Sequence, residues 1–175
     1  MTTRGRRTVV VIVAIALGQL LGCAPAAAPV PTPTPAFASE EEAFAAAEEV
    51  YRAYNDAVNA RSNGTEGADP QRYLTGLALE GDIDTQNLLS SSELHVSGVA
   101  VVEAFFGESA DIDGDFPTMT GIVCMDVSNV SLINKSGADV TPLERGQKVE
   151  QRVVFVGAGD ALRISNESMV DGSTC

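Results

Sequence analysis

The feature that most constrains this chain is a change of hydrophobic period at "SSSE", residues 90–93. Before it, Phe44, Ala47, Tyr51, Tyr54 and Val58 recur three and four apart, which gathers apolar side chains on one face of a helix. Ser39 followed by Glu42 reads as a capping box, and Glu40, Glu41 and Glu42 favour the positive end of the helix dipole. Glu48 and Arg52 stand four apart on another face, and "NG" at Asn63-Gly64 marks the end. Asp69-Pro70 predicts a second helix over 71–80 that buries Tyr73, Leu74 and Leu77. Gly81 is expected to interrupt it, with a short helical turn over 85–89. After "SSSE", β-branched and aromatic residues come in runs at 94–106, 118–133, 147–156 and 161–170, with turn signals at "NKSGAD" and "GAGD". In the third run Val149, Gln151, Val153 and Phe155 share one side, and Lys148, Glu150, Arg152 and Val154 the other. Helices followed by strands predict an α+β fold, with an antiparallel sheet packed on helices along one face.

The first 38 residues follow different rules. Arg4, Arg6 and Arg7 lead into an apolar run from Val9 to Leu21 that is broken only by Gly18 and Gln19. At about 1.5 Å per residue this run is roughly 20 Å long, short of the roughly 30 Å hydrocarbon core, so it reads as a signal peptide. Arg6-Arg7 hints at twin-arginine export, although the residues after the pair depart from that pattern. "LLGC", residues 20–23, resembles a bacterial lipobox. That resemblance implies cleavage after Gly22, diacylglycerol and palmitate-type acylation at Cys23, and a lipid-anchored protein on the extracytoplasmic face of the cell membrane. Two acyl chains hold where one holds only marginally, each buried CH2 contributing about 0.8 kcal/mol. The alternative is an ordinary secretory signal with a cysteine near its end. Residues 24–38 carry five prolines and no charge. An extended polyproline arm of that length, at about 3.1 Å per residue, suits a spacer. The expected organisation is a leader over 1–22, a lipidated Cys23 with its spacer over 23–39, and one domain over 40–175.

Without the leader, 8 basic residues face 24 acidic ones, a formal charge of −16. The basic residues are scattered, which argues against nucleic acid or anionic headgroups as partners. With Cys23 taken by lipid, Cys124 and Cys175 remain, and in an exported protein they are expected to pair. Two free thiols are the alternative. A Cys-x-x-Cys redox motif is absent.

A long helix with "AAEEVYRAYNDAVNA", a second with "RYLTGLAL", then "CMDVSNVSLIN" and "RVVFVGAGDALRISN" together resemble the nuclear-transport-factor-2-like superfamily. More narrowly they resemble lipoproteins of high-GC Gram-positive bacteria that carry such a domain. The resemblance implies a cone-like fold, also described as cystatin-like, in which a curved antiparallel sheet wraps the long helix and can leave a cavity.

Enzymes of that superfamily place aspartates, tyrosines or histidines inside the cone. The corresponding candidates are Asp126, Tyr54, Tyr51 and His95. A buried Asp126 would have a raised pKa and could act as a base, whereas an Asp126 paired with a cation such as Arg152 would be structural. His95 is the single histidine, so no histidine metal cluster can form. "DIDGDF", residues 111–116, alternates carboxylates but lacks the glycine and glutamate spacing of an EF-hand. No catalytic motif, metal site or cofactor fingerprint emerges. The expectation is a non-catalytic domain that binds a small apolar ligand or another envelope protein. The alternative is an isomerase-, dehydratase- or hydrolase-like enzyme using Asp126 and a tyrosine in the cone.

Overall fold

The computed structural model describes residues 36–114, 116–170 and 175. The leader, Cys23 and the spacer as far as Pro35 lie outside the described residues.

Two helices pack on antiparallel sheets, an α+β arrangement. The first helix, α1 (Glu40–Ser62), begins where the Ser39 side chain accepts the Glu42 backbone N–H at 3.3 Å. The Glu42 carboxylate reaches back to accept the Ala38 N–H at 2.7 Å, one residue before the cap, so the first turn is tied to the chain that enters it. Arg52 and Glu48 form the expected pair one turn apart. Phe37 is buried with the core, which brings the last residues of the expected spacer into the folded domain.

The second helix differs from expectation. Pro70–Tyr73 forms a 3-10 helix, after which Leu74 bridges to Ile164 and the Thr75 N–H donates to the Ile164 carbonyl. This tie to the sheet delays the helix: α2 spans Gly76–Ser91 and runs straight through Gly81. Glycine lowers helix propensity but neither removes the N–H nor clashes, so packing carries the helix across it. Leu74 is buried as expected and Tyr73 half-buried, but Leu77 is 64% exposed.

Two of the expected strands are each split. The 94–106 run becomes β1 (Leu94–Gly98) and the start of β2 (Val101–Asp111). The 118–133 run becomes β3 (Thr118–Asp126) and β4 (Val130–Asn134). β5 (Lys148–Val156) and β6 (Arg163–Met169) follow closely the two remaining runs. β1 pairs with β4 in a two-stranded ribbon, and the other four form a sheet in the order β2-β3-β5-β6, all antiparallel. The break before β2 is held by α1: Asn55 and Asn59 both donate to the Ala100 carbonyl, and Asn59 accepts the Ala100 N–H. Gly98 has φ +98°, and a Cβ there would lie 1.8 Å from the Asn129 carbonyl oxygen, so only glycine fits this close approach of the ribbon strands.

The core fills the space between α1 and one face of the sheet. Ala43, Ala47 and Tyr51 of α1 meet Met119, Val123, Val153, Phe155 and Ile164. Register places Met119, Gly121, Val123 and Met125 opposite Phe155, Val153, Gln151 and Val149 on this inner face. Gly107 and Gly121 face each other across β2 and β3, with the Phe44 ring over the first and the Phe105 ring over the second. The outer face carries Asp126 opposite Lys148 and Cys124 opposite Glu150. Cys124 is bonded to Cys175, with Cα atoms 5.5 Å apart.

Candidate functional site

The four sequence candidates do not converge. Asp126 stands on the outer face of the sheet, away from the helices. Its carboxylate accepts the Ser128 N–H at 2.8 Å and meets Lys148 at 3.3 Å. Those Ser128 hydrogen bonds, with Lys148 behind them, pull its pKa down to about 2. The alternative of a buried Asp126 with a raised pKa is therefore overturned, and the pairing with a cation across the sheet is what is found: strand alternation puts it on the same face as Cys124, and that face is the outer one. Its cation is Lys148, the residue directly across the strand pair, while Arg152 pairs with Glu108.

Tyr51 and Tyr54 lie three apart on α1, with their rings edge to face at 5.7 Å. Tyr51 is buried and donates to the Gln151 side chain at 2.8 Å. Tyr54 donates to Glu167 at 3.3 Å. Burial, with the Glu167 charge added, raises both phenol pKa values above the ordinary tyrosine range. Burial likewise raises the Glu167 carboxyl, against the lowering effect of the tyrosine hydroxyls.

Tyr54 and Glu167 open into a cleft of about 360 Å³ between α1, α2, β1 and β6. Its walls include Val58, Leu77, Leu89 and Val96. Across it Arg61 grips Asp82 through two contacts, at 2.6 and 2.9 Å, and Gln71 adds a third at 2.9 Å. Burial pushes the Asp82 carboxyl up, but the Arg61 and Gln71 hydrogen bonds outweigh it and hold the pKa below the usual carboxylate range. A second hollow of about 200 Å³, which includes His95, shares Arg61, Ser62, Gln86, Leu89 and Val96 with the first. Of the expected cavity residues, Tyr54 lines the first hollow and His95 the second, Tyr51 lies buried beside Tyr54, and Asp126 is elsewhere.

Glu167 is the residue that strand periodicity hides. Ile164 points inward, so strict alternation would turn Glu167 outward. The register between β5 and β6 shifts, however: Phe155 pairs with Ile164 and Val154 with Asn166, leaving Ser165 as an extra residue. Glu167 then falls opposite Val153 on the inner face. Among the described residues no group of three or more His, Cys, Asp or Glu side chains gathers to hold a metal ion.

No protein-family model and no curated protein matches this chain. Among solved structures, the intermembrane space region of the chloroplast protein ARC6 superposes with a TM-score of 0.51 at 12% identity, covering 73% of this chain and 95% of that one. At that identity the likeness is one of fold alone, an α+β domain of helices on antiparallel sheets.

Proposed function

We propose that this is a lipid-anchored protein of the bacterial cell envelope whose domain, of nuclear-transport-factor-2-like type, binds a small, largely apolar ligand without transforming it. The observation that carries the binding reading is the cleft between α1 and α2, apolar along Val58, Leu77, Leu89 and Val96 with the Tyr54–Glu167 pair opening into it. Small-molecule sites are commonly of this kind, concave and mostly apolar with few polar groups. The lipobox and the uncharged proline spacer support the tethered location, and the long helix across an antiparallel sheet supports the cone-like fold. The non-catalytic reading is supported by the position of Asp126: a carboxylate with a pKa near 2 on the outer face is a weak base far from the tyrosines' partner.

The test uses 4-phenylbutan-1-ol as a neutral apolar probe, titrated calorimetrically into the purified protein. Saturable one-to-one binding is expected, and Gly81→Phe should abolish it. Gly81 lines the cleft with open space where its Cβ would stand, so the ring can fill the cleft while the helix stays intact by circular dichroism. Absent binding, or binding that Gly81→Phe leaves unchanged, would overturn the reading.

A further inference from the structure

Two carboxylates line the cleft, and they are in opposite situations. Asp82 is neutralised by Arg61, the single lysine or arginine lining that cleft, and is further held by Gln71. Glu167 meets no cation among the described residues. The Tyr54 hydroxyl donates to it at 3.3 Å with the Tyr51 hydroxyl beside, while an ionised carboxylate offers about four acceptor positions. β5 turns Gln151 and Val153 toward this face and keeps Arg152 on the other, paired with Glu108. The ionisable groups around Glu167 are therefore Tyr51, Tyr54 and Arg61 from α1 and Asp82 from α2, with His95 of β1 in the adjoining hollow.

A half-buried carboxylate that meets only phenols among the described residues is costly when charged, and an ammonium group joining it offsets part of that cost. Burial accordingly raises the Glu167 pKa, and the Asp82 charge adds to that. The Tyr54 ring beside the carboxylate offers a second surface to a cation. The folded chain outside the leader is strongly acidic, which draws cations toward the protein and keeps anions away.

We infer that the cleft is a site for organic amines, with the ammonium group on Glu167 beside Tyr54 and the apolar body against Val58, Leu77 and Leu89. This rests on the cleft being a ligand site and adds the chemical class of the ligand. Because the ammonium ion binds the ionised form, wild-type affinity for an amine rises with pH as Glu167 loses its proton, and binding below that pH releases the proton to buffer.

The experiment compares 4-phenylbutylamine with the isosteric 4-phenylbutan-1-ol by calorimetry at pH 7.5 and 0.15 M salt. The amine is expected to bind at least tenfold more tightly, and Glu167→Gln to reduce that amine-over-alcohol preference at least fivefold. Amine affinity of the unmodified protein should also rise at least threefold from pH 4 to pH 7.5, as a carboxyl pKa above 4.5 requires, a readout that does not depend on any variant folding. Equal binding of amine and alcohol would overturn the amine assignment and leave the cleft standing. An amine preference that survives Glu167→Gln, or that salt alone removes, would place the attraction on the acidic surface and overturn the assignment as well. Failure of both probes would remove the cleft as a ligand site.

Discussion

Glu167 stabilises the fold less when charged than when neutral. Its folded pKa lies above the ordinary value of 4.5, so the native state holds the proton more tightly than the unfolded chain does. Stability is therefore highest below about pH 4.5 as far as this group is concerned. It declines as pH rises through the folded pKa, above which the whole cost is present. Glu167→Gln should make the protein more stable than the parent at pH 7.5, with the gap closing by pH 4. Urea melts at the two pH values measure it, and a gap of the same size at both would refute the burial argument. Asp126 illustrates the opposite case, a carboxylate favoured in its charged form by Ser128 and Lys148. Both roles depend on which face of the sheet each residue occupies. Tyr54 was legible from helical spacing alone, because a period of three and four needs no knowledge of the partner. Glu167 was not, because the extra residue at Ser165 reverses the alternation and nothing local in "RISNESM" marks it.

At the scale of elements, α1 is the most locally determined part of the chain: its cap, its acids and its apolar stripe agree, and its observed limits follow them. α2 is the opposite. Only Ala78 is buried along its length, and its start is set by the Leu74–Ile164 bridge to β6. Gly81 sits in its interior with an ordinary helical backbone and open space around the position of a Cβ. Gly81→Ala should therefore stabilise the protein by about 0.5–1 kcal/mol, through helix propensity and a less mobile unfolded chain. Thermal or urea denaturation checks this, and a loss of stability would mean that the glycine has a structural purpose. In β2, register shifts fall at Glu103 and Glu108, which pair with Lys148 and Arg152. β2 is an edge strand, and charged bulges of this kind discourage a second chain from adding to it.

For the whole molecule, the Cys124–Cys175 bond bears on stability and the proposed anchor at Cys23 on location. The bond spans 51 residues and ties the final residue to β3. Closing a loop of that length contributes on the order of 4 kcal/mol where the chain-entropy account holds. Cys23 belongs to the proposed anchor. A Cys23→Ala protein should leave the membrane fraction and appear in the soluble extracytoplasmic fraction on cell fractionation, and undiminished membrane association would overturn the anchor. The sequence alone determined the order of helices before strands, the limits of α1, the length of the apolar run over 9–21 and the number of cysteines, because each follows from local periodicity, composition or counting. Tertiary structure decided that α2 runs through Gly81, that two runs break into four strands, that Asp126 faces outward and that Glu167 joins Tyr54. These depend on strand register and on contacts between residues far apart in the chain, where a single inserted residue changes the face of everything after it.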